Sequence, residues 1–344
     1  MTVGKNEEII KQAITGSLGI IEQEREREII ARRFGLNGPK ETLEQIGESL
    51  MITRERVRQL EKAILIHLRI AAEDGQIDGL ATAEKLIIRN LTETGRVARV
   101  STLADKIYGH PSTATEKSNL TFISNISNSL TPFNENDSYY LAAGIAEYGD
   151  ERTLRTKVDE IVKTIKEHKS PMTLDELDEQ LDYAHPSYIA AMASLSKKLA
   201  TLNGLWGLTK WPEVNPRNIR DKIYVILEGN KEPMHFNDIA KAIAESNFKR
   251  KNVTTQAIHN ELIKDKRFIL IGRGIYALDS WGYKKGTVAE IITSVLTEAK
   301  QPLTREEIVK RVLKTRKVKE TTILLNLQDK KLFKKVDKNS YTLA

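Results

Sequence analysis

The 344-residue chain contains no cysteine, which excludes disulfides, cysteine-ligated zinc and a thiol nucleophile. Histidine is also scarce. The six residues, His67, His110, His168, His185, His235 and His259, are scattered, with no pair at i, i+4 and no acidic partner at metal-ligand spacing. His67 is expected on the buried side of its helix. No uncharged run approaches the roughly 20 residues that a membrane span needs, and no N-terminal apolar segment resembles a signal peptide, so a cytoplasmic protein with no membrane contact is expected. Gly272-Arg273-Gly274 lacks the strand, spacing and lysine of a phosphate-cradling loop, and no nucleophile is accompanied by a base. The expectation is a non-enzyme with no cofactor, no metal and no small-molecule substrate.

What is present is charge. Hydrophobic residues at 40% and charged residues at 29% describe a globular, charge-rich chain, and its length points to two or more domains. The net charge of +7 is unevenly placed: residues 281–344 hold 15 Lys and Arg against 7 Asp and Glu, while residues 1–280 hold 39 against 40. The basic excess therefore lies at the C-terminal end, where it suits either a nucleic-acid contact or a solubilising lysine surface.

One stretch carries the clearest pattern. In TLEQIGESLMITRERVRQLEKAILIHL, residues 42–68, Thr42 and Gln45 have the spacing of a capping box, and Leu43, Ile46 and Leu50 mark one apolar face. Gly47 lies inside that predicted helix, which implies the close approach of a second one. Met51-Ile52-Thr53 reads as the turn, with Thr53 as the next N-cap. Val57, Leu60, Ile64 and Leu68 then form a buried stripe, leaving Arg54, Glu55, Arg58, Gln59 and Lys62 together on the other side. Arg can fork onto guanine, Glu can accept from cytosine and Gln can pair with adenine in the major groove. A solvated helix face is the plainer reading of the same residues.

The arginine-rich run ending in Arg32-Arg33-Phe34-Gly35-Leu36, followed by residues 41–69 with TRERVRQLE, resembles region 4 of the bacterial sigma-70 family. The resemblance implies that Arg54, Glu55, Arg58 and Gln59 contact bases of a promoter −35 element. It also implies that Arg32, Arg33, Thr42, Arg56 and Lys62 meet the DNA backbone, and that the apolar side meets the β flap of RNA polymerase core. Nothing in the chain resembles the aromatic-rich helix with which sigma factors melt the −10 element.

After Leu68, AAEDGQIDGL has no sustained period and reads as a linker. A repeat follows. Tyr139-Tyr140-Leu141, Leu205-Trp206-Gly207-Leu208, Ile275-Tyr276-Ala277-Leu278 and Ser340-Tyr341-Thr342-Leu343 each end in a leucine, and these stand 67, 70 and 65 residues apart. First helices are predicted at 81–94, 154–168, 217–229 and 287–299, and second helices open at Ser101, Thr173, His235 and Thr304. Pro171, Pro233 and Pro302 precede three of these openings, and Thr173 with Glu176 and Thr304 with Glu307 have capping-box spacing. Third helices carry stripes such as Leu120, Ile123, Ile126 and Leu130, or Ile189, Met192, Leu195, Leu199 and Leu202. Phe268–Ile271, a glycine turn and Ile275–Leu278 form the clearest hairpin.

The expected fold is mainly α: a helix-turn-helix domain at 1–72 followed by four tandem winged-helix modules with small β-hairpin wings, at 80–148, 151–214, 215–283 and 284–344. EPMHFNDIAKAI with RFILIGRGIYALDSWGY in the third module resembles the HARE-HTH family, which includes the delta subunit of bacterial RNA polymerase; this implies association with transcription or chromatin machinery. In the fourth module Lys319, Thr322, Asn326 and Lys330 are expected on one side of the third helix, with Lys334, Lys335 and Lys338 flanking the wing as a second nucleic-acid surface. Lys249, Arg250 and Lys251 precede the third helix of the module before it.

Two functions fit. One is a nucleoid-associated bacterial transcription factor that binds double-stranded promoter DNA at a −35-like element, the polymerase flap, or both, without promoter-melting parts. The other is a delta-like accessory subunit of RNA polymerase, or an anti-sigma-like interaction protein, that does not read DNA sequence.

Overall fold

The computed structural model describes residues 3–181, 183, 186–249, 252–337 and 339–344. His185, Arg250, Lys251 and Lys338 lie outside the described residues. Helices dominate, and no described strand exceeds five residues, so the helix-rich class expected from the sequence is the one found. Two compact units divide the chain, Met1–Thr209 and Lys210–Ala344.

The first unit begins with α1 (Val3–Ile20), α2 (Glu24–Phe34), α3 (Leu43–Leu50) and α4 (Arg54–Glu73). Local chemistry sets each boundary. Gly35 ends α2 in the left-handed region, and the Thr42 side chain with Gln45 forms the predicted capping box of α3. Thr53 caps α4 by accepting from the Arg56 amide. Ile29, Ile46 and Val57 close a small core among α2, α3 and α4.

Then come α5 (Leu80–Glu93), β1 (Val97–Arg99), α6 (Val100–Tyr108), α7 (Ala114–Ile126), β2 (Leu130–Phe133) and β3 (Ala142–Ile145), whose strands form an antiparallel sheet in the order β1-β3-β2. The expected linker is absent. Residues 71–73 still belong to α4, and Ala71, Ile77 and Leu80 are buried. Nor does α1 merely lead into α2; it packs on α5, α6 and α7. Gly16 lets it approach the Asp78 carbonyl, with which a Cβ would collide. Ile10, Ile30, Phe34, Ile64, Leu68, Leu80, Leu120, Phe122 and Ile145 thus share one core, crossing the boundary drawn near residue 72. Apolar periodicity shows that a face is buried but not what covers it.

The unit is completed by α8 (Glu151–His168), α9 (Leu174–Leu181), α10 (Pro186–Leu195), β4 (Leu199–Leu202) and β5 (Leu205–Leu208). Here the repeat needs correction. Tyr139-Tyr140-Leu141 does not close the first sheet, since Leu141 precedes β3 and the strand ends at Ile145. Instead Tyr139 bridges Ser196, the Tyr140 amide donates to the Leu195 carbonyl at 2.9 Å, and the Arg99 guanidinium stacks on Tyr140 at 3.8 Å while donating to the Ser194 carbonyl.

The second unit holds two segments of similar order. The first comprises α11 (Ile219–Asn230), β6 (Met234–His235), α12 (Phe236–Glu245), α13 (Thr255–Lys264), β7 (Phe268–Gly272) and β8 (Ile275–Leu278). The second comprises α14 (Val288–Ala299), β9 (Leu303–Thr304), α15 (Arg305–Thr315), α16 (Glu320–Asn326), β10 (Phe333–Lys335) and β11 (Ser340–Leu343). In both, a strand before the second helix pairs with the last strand, in the orders β6-β8-β7 and β10-β11-β9. The structure adds a repeat mark: Lys169, Lys231 and Lys300 take left-handed φ of 64°, 59° and 52° at the ends of α8, α11 and α14, each two residues before a proline.

Phe122 is fully buried and meets the Phe34 ring edge-on at 5.1 Å, joining α7 to α2. Phe122→Ala should cost about 3–5 kcal/mol. Because the core is shared, hydrogen exchange should accelerate together in α7 and in the Ile64–Ala71 part of α4; separate cores would confine the acceleration to α7.

Candidate nucleic-acid interface

The geometry of the helix-turn-helix follows from its turn. Met51 adopts φ 53° as the C-cap of α3, and Ile52 and Thr53 lead directly into α4. Gly47 is needed for this turn rather than for the face of a second helix: a Cβ there would stand 2.7 Å from the Ile52 carbonyl oxygen. With the turn so closed, Val57 points into the small core and Ile64 and Leu68 into the larger one. The opposite side of α4 is left to solvent.

Arg54, Glu55, Arg56, Arg58, Gln59 and Lys62 are all exposed on α4, so the structure gathers the predicted base-reading set on the first two turns of one helix. Three of them form a network. Arg58 donates from Nε and Nη2 to the two Glu55 carboxylate oxygens at 2.8 and 2.7 Å, and Gln59 Nε2 donates to Glu55 Oε1 at 3.4 Å. Arg54, Arg56 and Lys62 make no ion pair among the described residues.

The residues expected at phosphates divide into two groups. Arg56 and Lys62 face solvent. Arg33 is half-buried, and its Nε donates to both Glu61 carboxylate oxygens at 3.1 Å while Nη1 reaches the Glu41 carbonyl at 3.4 Å. Arg32 donates to Ser49 Oγ at 2.7 Å and pairs with Glu28 at 3.1 Å, and the Thr42 hydroxyl serves the capping box. Arg32 thus ties α2 to α3 and Arg33 ties α2 to α4, while Thr42 caps α3. Sequence reasoning did not single out Glu61 or Arg25, which donates to the Leu50 carbonyl at 2.7 Å and so secures the C-terminus of α3. The available signal for Glu61 was its place beside the apolar stripe.

Other placements differ from expectation. His67 is exposed rather than on the buried side of α4. In the last segment α16 ends at Asn326, so Lys330 lies in the following turn and not on the helix with Thr322 and Asn326. Lys319 is the N-cap position, and Asn326 donates to the Thr322 carbonyl at 2.8 Å. Among the described residues no group of three His, Asp or Glu side chains could hold a metal ion.

Two measurements follow from this geometry. Gly47→Ala should lower the urea midpoint, even though alanine favours a helix by about 1 kcal/mol over glycine, because the added carbon meets backbone. The hydrogen bond from Arg58 holds the Glu55 carboxyl below the usual glutamate range. The pairing should therefore persist at neutral pH and be lost as pH falls through that lowered value. A side-chain NMR titration should show the depressed midpoint returning to the ordinary range in Arg58→Ala; an unchanged midpoint would mean that the pair is not held in solution.

Comparison with known proteins agrees on the same stretch. The family model described as Sigma-70, region 4 matches residues 23–69. The RNA polymerase sigma factor SigA1 of Synechococcus elongatus is 40% identical over 68 residues, which are 20% of this chain and 16% of that protein. The chain thus matches less than a fifth of that relative's length. A crystal structure of the bacterial selenocysteine-specific elongation factor EF-Sec aligns over 74% of this chain and 37% of its own at 14% identity, with a TM-score of 0.21, too low to support any argument. Residues 23–69 are similar to region 4 of the sigma-70 family, a DNA-binding helix-turn-helix that contacts the promoter −35 element and the RNA polymerase flap.

Proposed function

We propose that this chain is a non-catalytic transcription factor whose α4 reads a −35-like element in promoter DNA, with the RNA polymerase flap as its protein partner. The observation that carries the reading is the exposed cluster of Arg54, Glu55, Arg58 and Gln59 on the Thr53-capped end of α4, within a stretch matching region 4. Base edges of the major groove suit these side chains, and Arg56 and Lys62 flank them for phosphate. Arg32 and Arg33 contribute chiefly by holding α2 against α3 and α4, and Thr42 by capping α3.

The four segments after α4 are winged helices on this reading, each with three helices and a terminal hairpin. They have two different uses. The third helices of the first two are occupied: α7 buries Leu120, Phe122, Ile123 and Ile126, and α10 buries Tyr188, Ile189, Met192 and Leu195. These two modules form a scaffold behind the reader. In the second unit α13 buries only Ile258 and Leu262, and α16 only Ile323, so those third helices keep an open face.

Fluorescence anisotropy with two short duplexes, one carrying a TTGACA-type hexamer and one scrambled, tests the proposal. The expected result is a preference of ten-fold or more, about 1.4 kcal/mol, that disappears in Arg58→Ala. Equal affinity for the two duplexes would sink sequence reading. It would favour the polymerase-bound accessory protein instead.

A further inference from the structure

We propose that the last hairpin of the second unit is a separate nucleic-acid surface, on which Lys330, Lys331, Lys334 and Lys335 grip the phosphates of duplex DNA without reading its sequence. The proposal does not depend on the function assigned to α4.

Three observations lead to it. First, the positive charge there is uncompensated. Residues 281–344 carry 15 basic and 7 acidic side chains, yet among the described residues their ion pairs are confined to Lys284, Lys285 and Arg305. Asp329 accepts the Lys331 amide at 3.0 Å and is tied into the turn, and Asp337, which follows Lys335 in the hairpin, makes no ion pair among the described residues. Second, the fold gathers these lysines. Because α16 stops at Asn326, the turn and β10 bring Lys330, Lys334 and Lys335 to the rim of one open depression of about 660 Å³, over a floor of Leu327, Phe333 and Tyr341. Lys331 is exposed in the same turn. Third, the third helix buries Ile323 but keeps an outer face, where Thr321, Thr322 and Leu325 remain exposed.

The chemistry favours phosphate over bases. Lysine is a point charge on a flexible stem, suited to a repeating anion and making no demand on sequence. An acidic protein would need charge only at the depression, whereas Lys310, Arg311, Lys314, Lys317 and Lys319 extend the basic character over neighbouring elements. Duplex DNA, with one charge per roughly 1.7 Å of axis, matches a spread of that kind.

The test uses the full chain and the scrambled duplex, with affinity measured across a salt series. Replacing the four lysines by alanine should lower affinity about ten-fold or more and flatten the slope of log K against log salt by about 2 to 4, given about 0.9 per phosphate contact. Replacement by arginine should preserve both. Circular dichroism should be unchanged, as all four side chains are exposed. An alanine variant that matches the original chain in affinity and slope would overturn the proposal. So would unchanged duplex binding accompanied by lysine-dependent capture of a polyglutamate peptide, which would reassign the surface to an acidic protein. Loss of hexamer preference in Arg58→Ala bears only on α4, so the two readings fail separately.

Discussion

A single continuous helix both anchors and displays the candidate reader, and the rest of the first unit depends on that arrangement. The far half of α4 places Ile64, Leu68 and Ala71 in a core built with α1, α5 and α7, while the near half presents Arg54, Glu55, Arg58 and Gln59 to solvent. An α-helix rises 1.5 Å per residue with its backbone bonded throughout, so the stretch from Arg58 to Leu68 transmits orientation over about 15 Å with little play. A small helix-turn-helix core of Ile29, Ile46 and Val57 could not supply this by itself. The shared core turns a marginal motif into the end of a rigid body.

That rigidity has a structural cost. To cover the far half of α4, the segment after it must give up the outer side of α7, which carries Phe122 against Phe34 and whose Asn125 carbonyl accepts from Arg69 at 2.7 Å. The next segment makes a similar concession with α10, where the Ser194 and Leu195 carbonyls take hydrogen bonds from Arg99 and from the Tyr140 amide. A third helix can pack into a neighbour or present itself to a partner, but one face cannot do both. Repetition of a structural unit along this chain therefore does not imply repetition of its use.

Local features were legible in the sequence, and assembly was not. The capping box of Thr42 and Gln45, the Thr53 cap, the stripe of Val57, Ile64 and Leu68, and the hairpin from Phe268 to Leu278 depend on neighbours within a few residues, and each is found. The apolar stripes of the third helices were overextended for the same local reason. Leu130, Leu199 and Leu202 continue the spacing but lie in β2 and β4, since an apolar residue entering a buried strand looks like one more turn of helix. The absent linker after Leu68 misled through its acids and glycines, while buried Ile77 and Leu80 carried the true signal. Of the candidate site, the solvent-facing residues of α4 were legible because burial and exposure alternate at a helical period. The internal ties of Arg32 and Arg33 were not, because nothing in the spacing shows that Ser49 and Glu61 come within reach.

The pairing of Glu55 with Arg58 shows how such a face can be ordered and still available. An exposed ion pair is screened by solvent and offset by the side-chain entropy it costs, so this one adds little to stability and is cheaply opened. Its effect is on conformation: two forked hydrogen bonds, with Gln59 leaning on the same carboxylate, hold three long side chains in one arrangement before any partner arrives. A guanine edge offers Arg58 the same two-acceptor geometry that Glu55 now provides, and a cytosine amino group offers Glu55 a donor in return. On the proposed reading, binding would then exchange one set of charge-assisted bonds for another rather than order a disordered surface. The pairing lowers the ordering entropy left to binding only in proportion to its population, and discrimination rests on how well the bases reproduce the bonds they displace.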